Sequence, residues 1–430
     1  MKFSIITFGC KVNQCESDNI RFSMMKNGYT FSENVESADV IIINSCTVTA
    51  ESDRKLRQTI NKIKKINPDS IIVLTGCMPQ AFPEEAKKFL GIDIVIGNSE
   101  KHEMPRVLGN YLKNRAKVFD VGNINGVFEF EKATFDSRPQ HSRAFLKIED
   151  GCDRYCSYCI IPYARGRVRS KKPQEIEKDI LNLSENGYKE IVLVGINLFS
   201  YGKDINLSIL DAVKVAAENS GIKRIRLGSL EPDLVSDEII EKLSCEEKLC
   251  PQFHLSLQSG SDKILKSMRR RYTSEDYLKL VKKLKEKFPD ATFTTDLMVG
   301  FPGETEDDFE KSLEIIEKVQ FLKVHVFPYS RRPGTLADKY LGQVSKNIKT
   351  ERVKKAIEFS EKISKMVLRK FIGKTLDVLF ETKDGNGFYE GYTSNYIYVK
   401  VKSEKDFIGN IEKVKLLKSE KNFCIGSCIK

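Results

Sequence analysis

A chain of 430 residues, 40% hydrophobic and 30% charged, is ordinary for a globular protein and has room for two or three domains. It holds no run of about 18 apolar residues, which excludes a membrane span, and four histidines with no tryptophan leave little for a histidine-based hydrolase. A net charge of +11 leans toward a polyanionic partner, a lysine-rich solvated surface being the plainer reading, and eleven cysteines without a secretory leader point to reduced thiols in the cytoplasm, serving metal or redox chemistry.

The opening run "MKFSIITFGC" soon meets Lys11, Asn13 and Gln14 and reads as a first β-strand, not a signal peptide. "ADVIIINSC" and "SIIVLTGC" are β-branched runs of the same kind, suited to a buried parallel sheet. "ESDRKLRQTINKIKK" and "PEEAKKFL", between and after them, read as helices, so residues 1–115 form a parallel α/β domain. Cys10, Cys46 and Cys77 each follow a strand directly. The carboxyl ends of parallel strands share one edge where ligands collect, so three cysteines at three such ends can converge. Cys15 lies beyond its strand, in the next turn or first helical turn. Residues 116–141 are a weakly patterned connector.

A second βα series occupies 138–368. Its strands are expected at "RAFLKIE", "EIVLVG", "RIRLGS", "FHLSLQ", "TFTTDLMVG" and "LKVHVFP", with helical patterns such as "SEDYLKLVKKLKEKF" between them. Six units predict an open, partial (β/α)6 barrel whose chemistry lies at the carboxyl ends of its strands. Those ends lead to Cys152, Asn197, Glu231, Ser259, Gly300 and Pro328. After a basic helix, residues 370–430 are β-rich with Gly and Asp turns, a small β-barrel of the kind that binds nucleic acid.

"EDGCDRYCSYC" sets Cys152, Cys156 and Cys159 as C-x3-C-x2-C after the first barrel strand. Structural zinc takes four closed ligands, and the nearest further Cys or His are His141 upstream and Cys245 far downstream. Three thiolates on one loop suit a 4Fe–4S cluster with one iron open to a substrate. The alternatives are an incidental triple or a zinc site with a remote fourth ligand.

This loop on the first unit of a six-unit barrel resembles that of the radical S-adenosylmethionine enzymes, and the resemblance narrows along the chain. "TFGCKVNQCES", "NSCTVTAESDRKLRQ" and "LTGCMPQ" resemble the three cysteine motifs of the methylthiotransferase amino-terminal domain. "YCIIPYARGRVRS", "HLSLQSGSDKILKSMRRRYT" and "DLMVGFPGETEDDF" are similar to that family's barrel, and the last module resembles its TRAM RNA-binding domain. Within the family, "FGCKVN" and "CTVT" with "SDRKLRQ" look most like the tRNA enzymes acting on N6-threonylcarbamoyladenosine, the isopentenyladenosine enzymes usually carrying Met where Val12 stands.

The resemblance implies two 4Fe–4S clusters and S-adenosylmethionine as cofactors. Cys152, Cys156 and Cys159 would hold the radical-generating cluster, and Cys10, Cys46 and Cys77 a second cluster that carries sulfur. One S-adenosylmethionine would methylate that sulfur; another would yield the radical that removes hydrogen from C2 of the adenine next to the anticodon, chemistry the cofactor supplies and the protein positions. Cofactor contacts are expected at Tyr158, Gly195, Asn197, Glu231 and Asp296. For each the plainer reading is structural, a packing aromatic or an ordinary βα turn. Gly300 and Gly303 would let the backbone approach a nucleoside, and Glu304 is either a contact or a cap of the next helix.

Arg165, Arg167 and Arg169, just past the cluster loop, are expected to grip tRNA phosphates; Arg269, Arg270 and Arg271 read as a solvated knot. Among Phe388, Tyr389, Tyr392, Tyr396 and Tyr398, about half should fill the small barrel and the rest offer stacking faces. In the family motif an aromatic residue is typical where Cys15 stands, so Cys15 reads as a bystander, and Cys245, Cys250, Cys424 and Cys428 as spare thiols. The expected partners are tRNA, through its anticodon stem-loop, and a reductant such as flavodoxin, the chain working as a cytoplasmic monomer away from membranes. The alternatives are an isopentenyladenosine tRNA or ribosomal-protein aspartate methylthiotransferase and, from another class, a non-catalytic zinc-containing RNA-binding protein.

Overall fold

The computed structural model describes residues 1–131 and 142–429. Residues 132–141 of the expected connector, with His141 and the expected start of the second unit, lie outside the described residues. Six parallel strands in the order β2–β1–β3–β4–β5–β6 build the first sheet. They are β1 (Lys2–Thr7), β2 (Thr30–Phe31), β3 (Val40–Ser45), β4 (Ile71–Gly76), β5 (Ile94–Ile96) and β6 (Val118–Asp120). β3 and β4 are buried along their whole length, which is why their sequences are unbroken apolar runs. Alternate side chains serve opposite faces. Ile42 and Val73 meet α1 (Lys11–Lys26), while Ile41, Ile43 and Ile72 meet α2 (Ala50–Ile66). α3 (Cys77–Ala81), α4 (Pro83–Lys87) and α5 (Met104–Asn114) complete the layers. β6 pairs with β5, so this unit runs past residue 115.

β7 (Arg143–Lys147) leads into an antiparallel clip of β8 (Glu149–Asp150) and β9 (Arg169–Ser170), which encloses the cysteine loop and α6 (Ile161–Arg165). The arc continues through β10 (Glu190–Val194), β11 (Arg224–Leu227), β12 (Ser229–Leu230), β13 (Gln252–Leu255), β14 (Thr292–Val299) and β15 (Lys323–Pro328). All its pairings are parallel, in two sheets, β7–β10–β11 and β12–β13–β14–β15. β11 and β12 form the third strand of the arc, interrupted at Gly228, where a Cβ would lie 3.1 Å from the Leu193 carbonyl. Outside run α7 (Pro173–Glu185), α8 (Ile209–Glu218), α9 (Asp237–Ser244), α10 (Asp262–Ser267), α11 (Ser274–Lys287), α12 (Glu306–Val319) and α13 (Lys346–Arg369). This is the expected open six-unit barrel.

β16 (Thr375–Lys383), β17 (Phe388–Thr393), β18 (Tyr398–Lys402), β19 (Ile411–Ser419) and β20 (Cys424–Cys428) close into a small barrel around Val378, Phe380, Tyr389, Val399 and Leu416. It docks on the amino ends of the arc. Arg143 pairs with Glu381 at 2.6 Å, Arg224 donates to the Asp377 carbonyl at 2.7 Å, and Arg226 donates to the Ser394 carbonyl at 2.9 Å. One hydrophobic core runs continuously through both barrels. Among the described residues no helix is long and apolar enough to cross a membrane.

Candidate functional site

The first cysteine loop is held at both ends. Gly151 turns with φ +89°, where a Cβ would strike the Arg167 carbonyl, and the Cys152 amide donates to the Gly166 carbonyl at 3.0 Å. Ser157 ties the middle of the loop to the end of α10, its amide donating to the Met268 carbonyl and its hydroxyl to the Ser267 carbonyl. The Cys159 amide donates to the Cys156 carbonyl at 3.0 Å, a tight turn that gathers the thiols. Burial pushes Cys152 up to about 12 and raises Cys159 as well, so both hold their protons near neutrality until a metal displaces them.

Arg270 departs from the solvated reading. Its side chain is 4% exposed, pairs with Glu231, and stands 3.5 Å from the Cys156 sulfur. Arg154 fixes the same corner through Asp233 at 2.8 Å and Glu231 at 3.6 Å. Glu231 is thus held by two arginines. Asn197 is buried, with its amide nitrogen 4.0 Å from the Cys152 sulfur. Gly195 leaves room for Glu149, whose carboxyl would meet a Cβ at 2.4 Å and accepts from the Asn197 backbone at 2.8 Å. Burial raises Glu149 well above the usual carboxylate range. Tyr158 packs edge-on to Phe301, in a cluster with Met298 and Tyr329. Asp296 sits 3.3 Å from His254 Nε2 inside the arc. Glu304 clamps its loop instead, accepting from the Gly300 amide and from Arg352 at 2.7 Å, while Thr305 caps α12.

The second triad forms where β1, β3 and β4 end. Gly9, at φ +110°, brings the Cys10 turn against Cys46, whose sulfur would lie 3.2 Å from a Cβ there. Cys77 opens α3 after Gly76. Each of these thiols lies within electrostatic reach of the others. Cys46 and Cys77 are buried and Cys10 is exposed, the open corner of the set. Burial pushes Cys77 up to about 11, opposed by Arg165, whose Nε donates to its sulfur at 3.2 Å.

That contact corrects the expectation for Arg165 and Arg169. Arg165 is fully buried and cannot reach a phosphate. It pairs with Glu16, donates to Asn13 at 2.8 Å, and reaches Asp150 at 3.3 Å. Glu16 is also held by Lys101 and by Lys147 at 2.8 Å. Its burial favours protonation, but the three cations outweigh that and keep it well below the usual range. Arg169 is buried too, spent on the Arg165 and Arg167 carbonyls. Only Arg167 of the three faces solvent.

The network puts the two triads on one boundary. Arg165 touches Cys77 on one side and, on the other, Asp150, two residues before Cys152. Asn98 donates to the Ala164 carbonyl at 2.7 Å and Arg332 pairs with Asp53 at 2.8 Å, further locking the first sheet onto the arc. Cys15 belongs to this packing: its thiol donates to the Phe145 carbonyl at 3.3 Å among Val12, Val192 and Val194.

Beneath lies an interior of mixed lining. A cavity of about 730 Å³ opens between β15, α13 and the small barrel, lined by Thr294, Lys323, His325, Tyr392, Tyr396 and Tyr398. Tyr392 stacks on Tyr396 at 4.7 Å and lies 5.0 Å from Tyr398, and Arg143 and Arg226 cover this stack at 4.8 and 4.9 Å. Tyr389 instead fills the small barrel with Phe380 and Phe407.

Both donor sets fit iron–sulfur clusters. Each offers three thiols, the first set on one loop pinned by Gly151 and Gly166 and the second at three strand ends that include Gly9 and Gly76, and three thiolates leave one iron free. Among the described residues no three Cys, His, Asp or Glu side chains close on a single-ion spacing.

Comparison with known proteins agrees with this reading. The Radical SAM superfamily model matches residues 146–316, the uncharacterized protein family UPF0004 matches 2–97, and the TRAM domain matches 369–429. A radical S-adenosylmethionine methyltransferase from Kitasatospora setae, TsrM, solved with cobalamin and a [4Fe-4S] cluster bound, shares the fold with TM-score 0.59 at 13% identity, covering 78% of this chain and 76% of its own. Fold and thiol loop together define a radical S-adenosylmethionine enzyme. Threonylcarbamoyladenosine tRNA methylthiotransferase MtaB is 38% identical in Bacillus subtilis (96% of this chain, 93% of the relative) and 40% identical in Thermotoga maritima (94% and 91%). The tRNA-2-methylthio-N(6)-dimethylallyladenosine synthase of Caldicellulosiruptor saccharolyticus is 37% identical (99% and 92%). The chain belongs to the radical S-adenosylmethionine methylthiotransferase family, whose cofactors are S-adenosylmethionine and 4Fe–4S clusters.

Proposed function

We propose that this enzyme methylthiolates C2 of N6-threonylcarbamoyladenosine beside the anticodon of tRNA. The observation that carries the proposal is the pair of cysteine triads on one domain boundary, joined by Arg165. Cys152, Cys156 and Cys159 would hold the radical-generating cluster, and Cys10, Cys46 and Cys77 would hold the other. When bound, the first supplies a radical able to take hydrogen from an aromatic carbon, and the second supplies the sulfur. Tyr158, Asn197, Glu231 and Asp296 would contact the S-adenosylmethionine, with Arg270 and Arg154 holding Glu231 in place. Gly195 acts through space, admitting Glu149 beneath the Asn197 amide.

Arg167, the solvent-facing member of its run, and the small TRAM-like barrel meet RNA. An external reductant such as flavodoxin supplies the electron. The working unit is a single chain in the cytoplasm, where eleven thiols stay reduced. The dimethylallyladenosine reading has a relative of 37% identity; the threonylcarbamoyladenosine reading is favoured by the relatives of that name at 38% and 40%.

Mass spectrometry of tRNA nucleosides from cells lacking the gene tests the substrate. The methylthio form of threonylcarbamoyladenosine should vanish and its unthiolated parent accumulate; loss of the methylthio-isopentenyl nucleoside instead would overturn the assignment. The ligand sets are tested on purified protein. Cys156→Ala should end 5′-deoxyadenosine formation, whereas Cys46→Ala should keep it and stop sulfur insertion. Thiolation of tRNA by the Cys46 variant would contradict the second set.

A further inference from the structure

Lys11 opens α1 directly after Cys10. α1 lies across the inner face of β7 and β10, with Val12 and Cys15 against Phe145, Val192 and Val194. The Lys11 ammonium therefore enters the arc, 5.5 Å from the Phe145 ring. Tyr396, Arg143, Arg226 and Glu190 surround it electrostatically, and His325 senses it from the far edge of the arc. The side chain stays accessible to solvent.

The neighbouring arginines already have acids. Arg143 pairs with Glu381 at 2.6 Å, Arg226 with Glu190 at 2.8 Å, and Arg224 with Glu190 at 3.5 Å. Among the described residues no carboxylate lies within ion-pair distance of Lys11. An ammonium facing guanidiniums whose acids are already taken favours an incoming anion.

Substrate chemistry says where that anion would be. In the purine ring C2 and C6 flank the same nitrogen, N1, so a substituent on N6 lies along the edge that carries the reacting carbon. A residue that reads the substituent must then stand beside the thiolates that hold the sulfur, and Lys11 adjoins Cys10. We propose that Lys11 is a specificity-determining residue that pairs with the carboxylate of the N6-threonylcarbamoyl group. This rests on the substrate reading above. An isopentenyl group offers the ammonium no partner, so the same residue discriminates between the two substituents.

The test uses the reconstituted holoenzyme and anticodon stem-loop RNAs that carry N6-threonylcarbamoyladenosine, its methyl ester, or isopentenyladenosine. Binding and single-turnover thiolation are measured, with iron and sulfide content confirming that each variant is loaded. Wild type should prefer the acid to the ester by roughly 10- to 100-fold, the worth of a charge-assisted hydrogen bond. Lys11→Met should lose that preference, and Lys11→Arg should keep most of it. The inference is overturned if wild type treats acid and ester alike, or if Lys11→Met weakens both equally and still prefers the acid, the mark of a phosphate contact or a structural role. The wild-type comparison and Lys11→Arg decide the matter even where Lys11→Met fails to load. A wild-type enzyme that thiolates only the isopentenyl RNA overturns the substrate reading, and the inference with it, by a result none of the other outcomes gives.

Discussion

Arg165 spreads its donors over Cys77, Asn13, Glu16 and Asp150, all of them buried. No lysine can reproduce that fork, because an ammonium is a point charge without two parallel donors. Arg165→Met removes one cation from a buried network and should destabilise the protein by about 3–5 kcal/mol. Arg165→Lys should recover only part of this, as measured by urea unfolding. Arg167, two residues on, faces water. Arg167→Ala should leave the unfolding midpoint unchanged and weaken tRNA binding, lowering the slope of binding against salt by about one ion. A stable Arg165→Met protein, or an Arg167→Ala protein with an unchanged salt slope, would reverse the two assignments.

At the scale of elements, three strand-to-helix turns make the second triad, and Gly76 is the most constrained of them. Its φ of 98° and ψ of −158° lie in a region that only glycine occupies readily, and a Cβ would stand 2.4 Å from the Ser45 carbonyl. Gly76→Ala should cost about 1–3 kcal/mol in conformation alone and more in the clash. It should lose the iron of the second cluster while keeping that of the first, which iron analysis and 5′-deoxyadenosine formation report separately. The cysteines at these turns were legible because β-branched runs mark buried parallel strands and each run ends in Cys. β2, β5 and β6 were not, since two or three residues carry no periodicity and pairing alone defines them. Glu16, Lys101 and Lys147 were equally hidden. A charged residue in a helix or on an edge reads as solvated until another domain covers it, and Lys147 and Arg165, which hold Glu16, lie far along the chain from it. Arg270 escaped for the same reason, its Cys156 contact spanning 114 residues. Of the five aromatics about half were expected inside the small barrel; only Tyr389 is buried there, and the docked arc instead sets Arg143 and Arg226 over Tyr392 and Tyr396.

Across the whole molecule, acid should loosen the seam between the two barrels. Burial alone would raise Glu190, but Arg226, then Arg143 and Arg224, hold it below the usual carboxylate range. A carboxyl depressed on folding contributes stability that is present above its unfolded value, about 4.5, and lost as the pH falls through the lower folded value. Urea unfolding should therefore weaken below about pH 4.5, and Glu190→Gln should flatten that dependence while lowering stability at pH 7. A variant as acid-sensitive as wild type would place the effect elsewhere, in Glu16 or Asp150, both also held low by buried cations. The buried position of Glu16 also orders events during synthesis, because domains generally fold amino end first as the chain emerges. While residues 1–131 are the only part made, Glu16 has Lys101 beside it, but Lys147 and Arg165 have not yet been translated. The first domain must then wait with Glu16 held by Lys101 alone, and the arrival of α6 completes its set of partners. A nascent chain is thus kept from assembling a finished sulfur-carrying pocket before the radical-generating half exists.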